Sequence, residues 1–142
     1  MTVLDAYALL AYLRNEPVAP LVQELLVGPT AVSAANLAEV VDILVRLHGK
    51  DEDDVNADIA LLVFAGMEVA VVNDDHGVLA GLLRARHYDR HGAVVTLADC
   101  MAAATALLSD RELASSDPSL ISLMRDEGGL VYPLPDGSGH LP

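Results

Sequence analysis

Short apolar segments of β-like composition alternate with longer helix-forming segments along most of the chain. The candidate strands are residues 2–4, 30–32, 68–72, 112–115 and 130–132. Alternation of this kind is typical of a mainly parallel sheet, because parallel neighbours need a crossover connection that is usually a helix. The sequence therefore predicts one α/β domain at 1–132, with a five-stranded, mainly parallel sheet flanked by helices in an α/β/α sandwich. The Pro- and Gly-rich segment 133–142 is predicted to be a C-terminal tail.

Caps and helix breakers give the expected helix boundaries. The predicted helices are 6–13, 19–26, 36–47, 55–64, 77–86, a helix that follows Thr96, and 119–126. Asn36 and Glu39 have the spacing of a capping box, and so do Thr96 and Asp99. Each of these acids therefore has a purely structural interpretation, in which it only stabilises the start of a helix.

Composition excludes several classes of protein. The chain has 142 residues and a formal net charge of −13, from 21 acidic side chains against 8 Lys and Arg. Such a charge disfavours simple electrostatic adhesion to nucleic acid or to an anionic membrane, and it suits a bound metal or a cationic partner. Cys100 is the only cysteine, so an internal disulfide and a cysteine-based zinc site are excluded. No signal peptide or membrane-spanning stretch is evident, and we expect a soluble, cytoplasmic protein.

Four acids occupy comparable places near the starts of helices. Asp5 and Asp117 directly follow the first and fourth strands, Glu39 lies in the helix after the second strand, and Asp99 opens a helix reached by a loop. In a parallel sheet the carboxyl ends of the strands share one edge, so these carboxylates are expected to converge there. Two such charges ~4 Å apart repel by about 4 kcal/mol at an effective dielectric constant of 20. A hard divalent cation removes that penalty, and the joint placement therefore indicates a metal-dependent nuclease site.

The segment 84–92 is the one basic patch of an otherwise acidic chain. It contains Arg84, Arg86 and Arg90. Basic side chains at the end of a helix stabilise its dipole, which is the structural interpretation. The functional interpretation is contact with the phosphates of a nucleic acid. The sequence leaves both open.

Four segments together resemble the PIN-domain proteins, specifically the VapC-type toxins of bacterial and archaeal toxin–antitoxin pairs. The segments are Val3-Leu4-Asp5, Asn36-Leu37-Ala38-Glu39-Val40, Leu97-Ala98-Asp99 followed by Ala104-Thr105-Ala106, and Leu113-Ala114-Ser115-Ser116-Asp117. The resemblance implies an endoribonuclease that depends on Mg²⁺ or Mn²⁺. Its acidic quartet falls on Asp5, Glu39, Asp99 and Asp117, and Ser115 falls where the family has a Ser or Thr that supports the site.

The same resemblance implies the partners of the protein. They are a cognate VapB-type antitoxin, a second copy of the toxin in a homodimer, and an RNA substrate, for which a structured RNA such as tRNA or rRNA is a candidate. The alternative is a PIN-like domain without catalysis that serves as a binding or assembly module, although the four acids speak against it. A phosphatase-like acidic hydrolase is a third interpretation, but Asp5-Ala6-Tyr7 lacks the DxD pattern expected after the first strand.

Overall fold

The computed structural model describes residues 1–92 and 94–142, and in that part of the chain it contains five strands and seven α-helices. The strands are β1 (Thr2–Leu4), β2 (Thr30–Ser33), β3 (Glu68–Ala70), β4 (Glu112–Ser115) and β5 (Val131–Pro133). The helices are α1 (Ala6–Leu13), α2 (Ala19–Val27), α3 (Ala34–Asp42), α4 (Glu52–Phe64), α5 (Asp74–His87), α6 (Leu97–Leu108) and α7 (Pro118–Asp126). A π-helical segment, Ile43–Leu47, continues α3. None of the described helices is long and apolar enough to cross a membrane.

The five strands form one parallel sheet in the order β3-β2-β1-β4-β5. Strand β1 is central, and its Leu4 lies opposite Val32 of β2 and Ala114 of β4. The chain extends the sheet to one side of β1 through β3 and then returns to the other side with β4. The strand order therefore reverses between β1 and β4, and ligands of open α/β sheets bind at the carboxyl edge of such a switch point. The predicted α/β fold is confirmed.

Helix α6 packs directly on the sheet because its buried side chains are small. Ala102, Ala103, Ala104 and Ala106 are fully buried against β1, β2 and β4. Alanine is the best helix former and adds little bulk, so the helix can approach the sheet closely. The close approach brings the N-terminus of α6, with Asp99, to the carboxyl edge of the sheet.

Helix α3 begins earlier than the capping-box spacing predicts. Its N-cap is Ser33, the last residue of β2, whose hydroxyl oxygen accepts a hydrogen bond from the Asn36 amide at 3.0 Å. Asn36 is therefore inside the helix, and the prediction that it caps the helix is wrong. Ser33 and Asn36 both carry a side-chain oxygen that can cap a helix, and Ser33, which lies next to the strand, is the one that does so.

The C-terminal segment begins within the packed structure. Strand β5 includes Pro133, the Leu134 amide donates to the Ser115 carbonyl at 2.8 Å, and the Leu134 side chain is fully buried. The Tyr7 hydroxyl also donates to the Pro135 carbonyl at 3.3 Å. The packed fold thus extends past residue 132, because burial of one leucine outweighs the Pro- and Gly-rich composition around it.

Candidate functional site

Asp5 is a buried carboxylate at the end of the central strand. It caps α1, with Oδ1 accepting a hydrogen bond from the Ala8 amide at 2.7 Å, and the residue is only 4% exposed. Burial above all, with a smaller contribution from the carboxylates of Asp99 and Asp117, raises the pKa of Asp5 to about 7, against the lowering effect of the Ser115 hydroxyl and the Ala8 amide. The ionised carboxylate of Asp5 is therefore unfavourable in the folded protein and lowers its stability.

Asp117 and Ser115 occupy the equivalent end of β4. Asp117 caps α7, and its Oδ1 accepts a hydrogen bond from the Ser119 amide at 2.7 Å. Ser115 is fully buried, and its hydroxyl oxygen accepts a hydrogen bond from the Asp117 amide at 3.0 Å. The same hydroxyl lowers the pKa of Asp5. Ser115 therefore connects the two acids that flank the switch point.

Asp99 lies in the first turn of α6, where the predicted capping box is present. Its Oδ2 accepts hydrogen bonds from the Thr96 amide and hydroxyl at 2.7 and 2.8 Å, and its amide donates to the Thr96 hydroxyl at 3.0 Å. Within the described part of the chain, Oδ1 of Asp99 accepts no hydrogen bond. One carboxylate oxygen is thus committed to the cap, and the other remains available to a ligand.

Glu39 lies in the second turn of α3 and faces Asp99. Burial raises the pKa of Glu39, and the carboxylates of Asp99 and Asp42 raise it as well. Glu39 does not form a capping box, since the helix begins at Ala34. Asp99 therefore couples electrostatically to Glu39 on one side and to Asp5 on the other, while Asp117 couples to Asp5.

Asn36 is a buried residue of the site that the sequence analysis assigned incorrectly. Its Nδ2 donates to the Ala98 carbonyl at 3.1 Å, and its Oδ1 accepts from the Ser33 hydroxyl. This bridge joins α3 to the first turn of α6 and so keeps Glu39 and Asp99 on neighbouring turns. Ser33, three residues before Asn36, is the feature of the sequence that could have indicated this, because it is the N-cap of α3 and leaves Asn36 inside the helix.

The three predicted phosphate-contacting arginines have different surroundings. Arg84 is half-buried, and its Nε donates to the Val95 carbonyl at 3.2 Å, next to the N-cap of α6. Arg86 instead pairs with Glu127 at 3.3 Å, and Arg90 is exposed on the surface. Of the three, only Arg84 is fixed beside the acidic group.

Cys100 also adjoins Asp99, but its thiol faces the core. Burial, and to a smaller extent the Asp99 carboxylate, raises the pKa of Cys100 to about 11. A thiol with such a pKa stays protonated at neutral pH and is a poor nucleophile. Cys100 therefore contributes packing.

Comparison with known proteins identifies the family. A sequence model of the PIN domain matches residues 2–124. The chain belongs to the PIN-domain family. No curated protein sequence matches this PIN domain.

Several solved structures have the same fold. One is FitAcB from Neisseria gonorrhoeae, with 19% identity, a TM-score of 0.69, and coverage of 93% of this chain and 96% of that one. Another is VapBC2 from Rickettsia felis bound to a promoter DNA fragment, with 16% identity, a TM-score of 0.67, and coverage of 92% and 96%. A toxin–antitoxin complex from Klebsiella pneumoniae has 18% identity, a TM-score of 0.65, and coverage of 93% and 96%. These similarities fit the predicted VapC-type resemblance.

The acidic group of this PIN domain has the chemistry of a Mg²⁺ or Mn²⁺ site. Within residues 1–92 and 94–142, no group of three or more His, Cys, Asp or Glu side chains is placed so that it could hold a metal ion. Mg²⁺ does not need such a group, since it usually keeps several waters and uses one or two carboxylates. Burial is the main cause of the raised pKa of Asp5, and the carboxylates of Asp99 and Asp117 add to it, so a cation bound beside Asp5 would favour its ionised form. The donor set therefore fits a hydrated divalent cation.

Proposed function

We propose that this PIN domain is a VapC-type toxin, a metal-dependent endoribonuclease that hydrolyses RNA phosphodiester bonds. The observation that carries the proposal is the electrostatic coupling of buried Asp5 to Asp99 and Asp117 at the switch point of the sheet. A buried carboxylate whose pKa is raised by burial and by neighbouring carboxylates is costly to a fold, and such groups are concentrated at functional sites. Helix caps alone do not require Asp5 to be buried among other acids.

Each acid has a distinct part in the proposed site. Asp5 and Asp99 would hold Mg²⁺ or Mn²⁺, with Glu39 and Asp117 binding directly or through water. The cation would supply charge neutralisation at the phosphate and a more acidic water. Asp117 would orient the attacking water, whose oxygen would bond to phosphorus as the bond from phosphorus to the 3′ oxygen breaks. The water would lose a proton and the 3′ oxygen would gain one, which leaves a 5′-phosphate and a 3′-hydroxyl. Ser115 would fix the orientation of Asp5 and Asp117, as hydrogen-bonded neighbours of metal ligands commonly do.

The proposal includes a cognate VapB-type antitoxin, because the solved relatives are toxin–antitoxin complexes. A cleft of about 270 Å³ between α1 and α4 offers a surface for it, lined by Tyr12, Leu13, Asp58, Leu61, Leu62 and Ala65. Leu61 is 67% exposed, and the adjacent Phe64 is 92% exposed. Exposed apolar patches of this kind mark interaction surfaces.

A homodimer is also part of the proposal. Val78 and Leu82 are exposed, and they lie one turn apart on the same side of α5, where a second copy could cover them. The cytoplasmic location and a structured RNA target such as tRNA or rRNA stay predictions from the sequence.

RNA cleavage with matched acid-to-amide variants tests the proposal. We expect wild type to cleave a mixed RNA substrate with Mg²⁺ or Mn²⁺ but not with EDTA, and Asp99→Asn to lose the activity. Asparagine can still accept the hydrogen bonds from Thr96, so the helix start should be retained. The control is Asp75→Asn, which removes an exposed acid in the first turn of α5 and should leave cleavage unchanged.

Metal binding separates the proposed nuclease from the binding-module alternative. Calorimetric titration of wild type with Mn²⁺ should give a signal that Asp99→Asn weakens. If folded wild type neither cleaves RNA nor binds Mn²⁺, the nuclease assignment is wrong and the inactive binding module becomes the better description.

A further inference from the structure

Most basic side chains of this acidic protein are neutralised by carboxylates. Five described ion pairs involve Lys or Arg: Arg14–Glu16, Arg46–Asp42, Lys50–Asp58, Arg86–Glu127 and Arg111–Glu68. Arg84 differs from these five, since no carboxylate of the described chain lies within ion-pair distance of it. Its positive charge is therefore available to an anion from outside.

Two contacts hold the Arg84 guanidinium in place. Its central carbon lies 4.4 Å from the centre of the Tyr88 ring, in a cation–π contact one turn along α5. Its Nε donates to the Val95 carbonyl at 3.2 Å, and within the described residues Nη1 and Nη2 donate no hydrogen bond. The two terminal amino groups of the guanidinium are thus oriented but unused, which is an arrangement suited to a phosphate.

The Arg84–Tyr88 pair adjoins the acidic group. Val95, which accepts the Arg84 hydrogen bond, directly precedes Thr96, the N-cap that holds Asp99. Arg84 and Asp99 also act in opposite directions on the pKa of Cys100, which places both charges near the same thiol. A phosphate bound by Arg84 would therefore belong to a strand that continues into the acidic group.

We propose that Arg84 and Tyr88 form a nucleotide-binding pair that positions single-stranded RNA for cleavage. Arg84 contacts a backbone phosphate through its terminal amino groups, and the 42%-exposed Tyr88 ring stacks on a base. Stacking on aromatic rings tolerates any base, whereas paired bases present no free face. This inference rests on the proposed nuclease function and adds a single-stranded segment to its substrate.

Binding of a fluorescein-labelled single-stranded RNA, followed by anisotropy, tests the pair. Ca²⁺ replaces Mg²⁺ as an oxygen-binding cation, and a gel checks that the RNA stays intact. We expect Arg84→Gln to raise the Kd about tenfold, the effect of losing a charge-assisted hydrogen bond. Tyr88→Leu should raise it by about fivefold or more through lost stacking, and Tyr88→Phe should preserve it. The matched control is Arg86→Gln, whose charge is already paired with Glu127.

The salt dependence separates a phosphate contact from a purely structural role of Arg84. Loss of one phosphate contact lowers the slope of log K against log salt concentration by about 0.7 for single strands. Arg84→Lys should keep most of that slope, whereas Arg84→Gln should not. A structural role would weaken binding with the slope unchanged and would overturn the inference.

The outcomes also separate this inference from the proposed function. If wild type binds RNA and Arg84→Gln binds it equally well, the Arg84–Tyr88 pair is not a nucleotide-binding site, and the nuclease proposal stands. If folded wild type binds no RNA, the inference is overturned, and RNA cleavage together with Mn²⁺ titration decides the proposed function separately.

Discussion

Replacing Asp5 by Asn should stabilise this PIN domain at alkaline pH when no divalent cation is present. The fold raises the pKa of Asp5 from 3.8 to about 7. Between these two values the native state holds a proton that the unfolded chain has released. The stability of wild type therefore falls as the pH rises through this window, because the native carboxylate must ionise in a buried place.

The size of this stabilisation follows from the shift in the pKa of Asp5. A change of about three pKa units corresponds to about 4 kcal/mol once the pH is well above 7, and to less than about 1 kcal/mol at pH 4. Asparagine retains the cap, since its side-chain oxygen can accept from the Ala8 amide as Asp5 does at 2.7 Å. We therefore expect Asp5→Asn to gain about 2 to 4 kcal/mol over wild type at pH 8 and little at pH 4.

Urea denaturation of both proteins in EDTA at the two pH values measures this difference. Asp75→Asn serves as the control, because Asp75 is exposed and lies in the first turn of α5, away from the acidic group. A difference between Asp5→Asn and wild type that does not change with pH, or a loss of stability at pH 8, would refute the assignment of Asp5 as a strained buried acid. Adding Mg²⁺ should then stabilise wild type at pH 8 and Asp5→Asn much less, because only wild type keeps the ligand.

Three further substitutions test the packing around the site, each by urea denaturation. Asn36→Ala removes the side-chain bridge to the backbone of α6 and should cost about 1 to 3 kcal/mol, since the buried Ser33 hydroxyl also loses the acceptor of its hydrogen bond. Gly129→Ala should cost about 1 to 3 kcal/mol, since the new methyl group would lie 2.5 Å from the buried Met124 side chain and 2.9 Å from the partly buried Leu107 side chain, whereas Gly137→Ala meets open space and should be neutral. Leu134→Ala should cost about 2 to 5 kcal/mol if the C-terminal segment is part of the core, with exposed Leu141→Ala as the neutral counterpart.

The fold was predictable from the sequence where one local signal had no competitor. Thr96 and Asp99 form the predicted capping box, and α7 begins at Pro118, one residue before its predicted start. Strand β1 and helix α1 also have the predicted bounds, because Asp5 both ends the apolar run and caps the helix. In these places the end of the strand, the capping residue and the start of the helix all indicate the same boundary.

Predictions failed where the deciding contact is distant in the sequence. Strand β3 ends at Ala70, where its partner β2 ends at Ser33, although the β-branched residues continue to Val72. Leu134 is buried against α1 and β4, which no local composition could indicate. The bridge from Asn36 to the α6 backbone spans 62 positions and is equally invisible in the local pattern.

The sequence posed helix capping and metal binding as alternatives for the acids, but the structure makes them compatible. Asp5, Asp99 and Asp117 each commit one oxygen to a cap, at 2.7 to 2.8 Å from its donors. A carboxylate has two oxygens and about four acceptor positions, so a cap fixes its orientation without using its capacity. Capping explains where each acid stands, but it does not offset the free energy that the burial of Asp5 among like charges costs. A divalent cation at that edge would offset this cost, and the caps would hold the ligands in place before the cation binds.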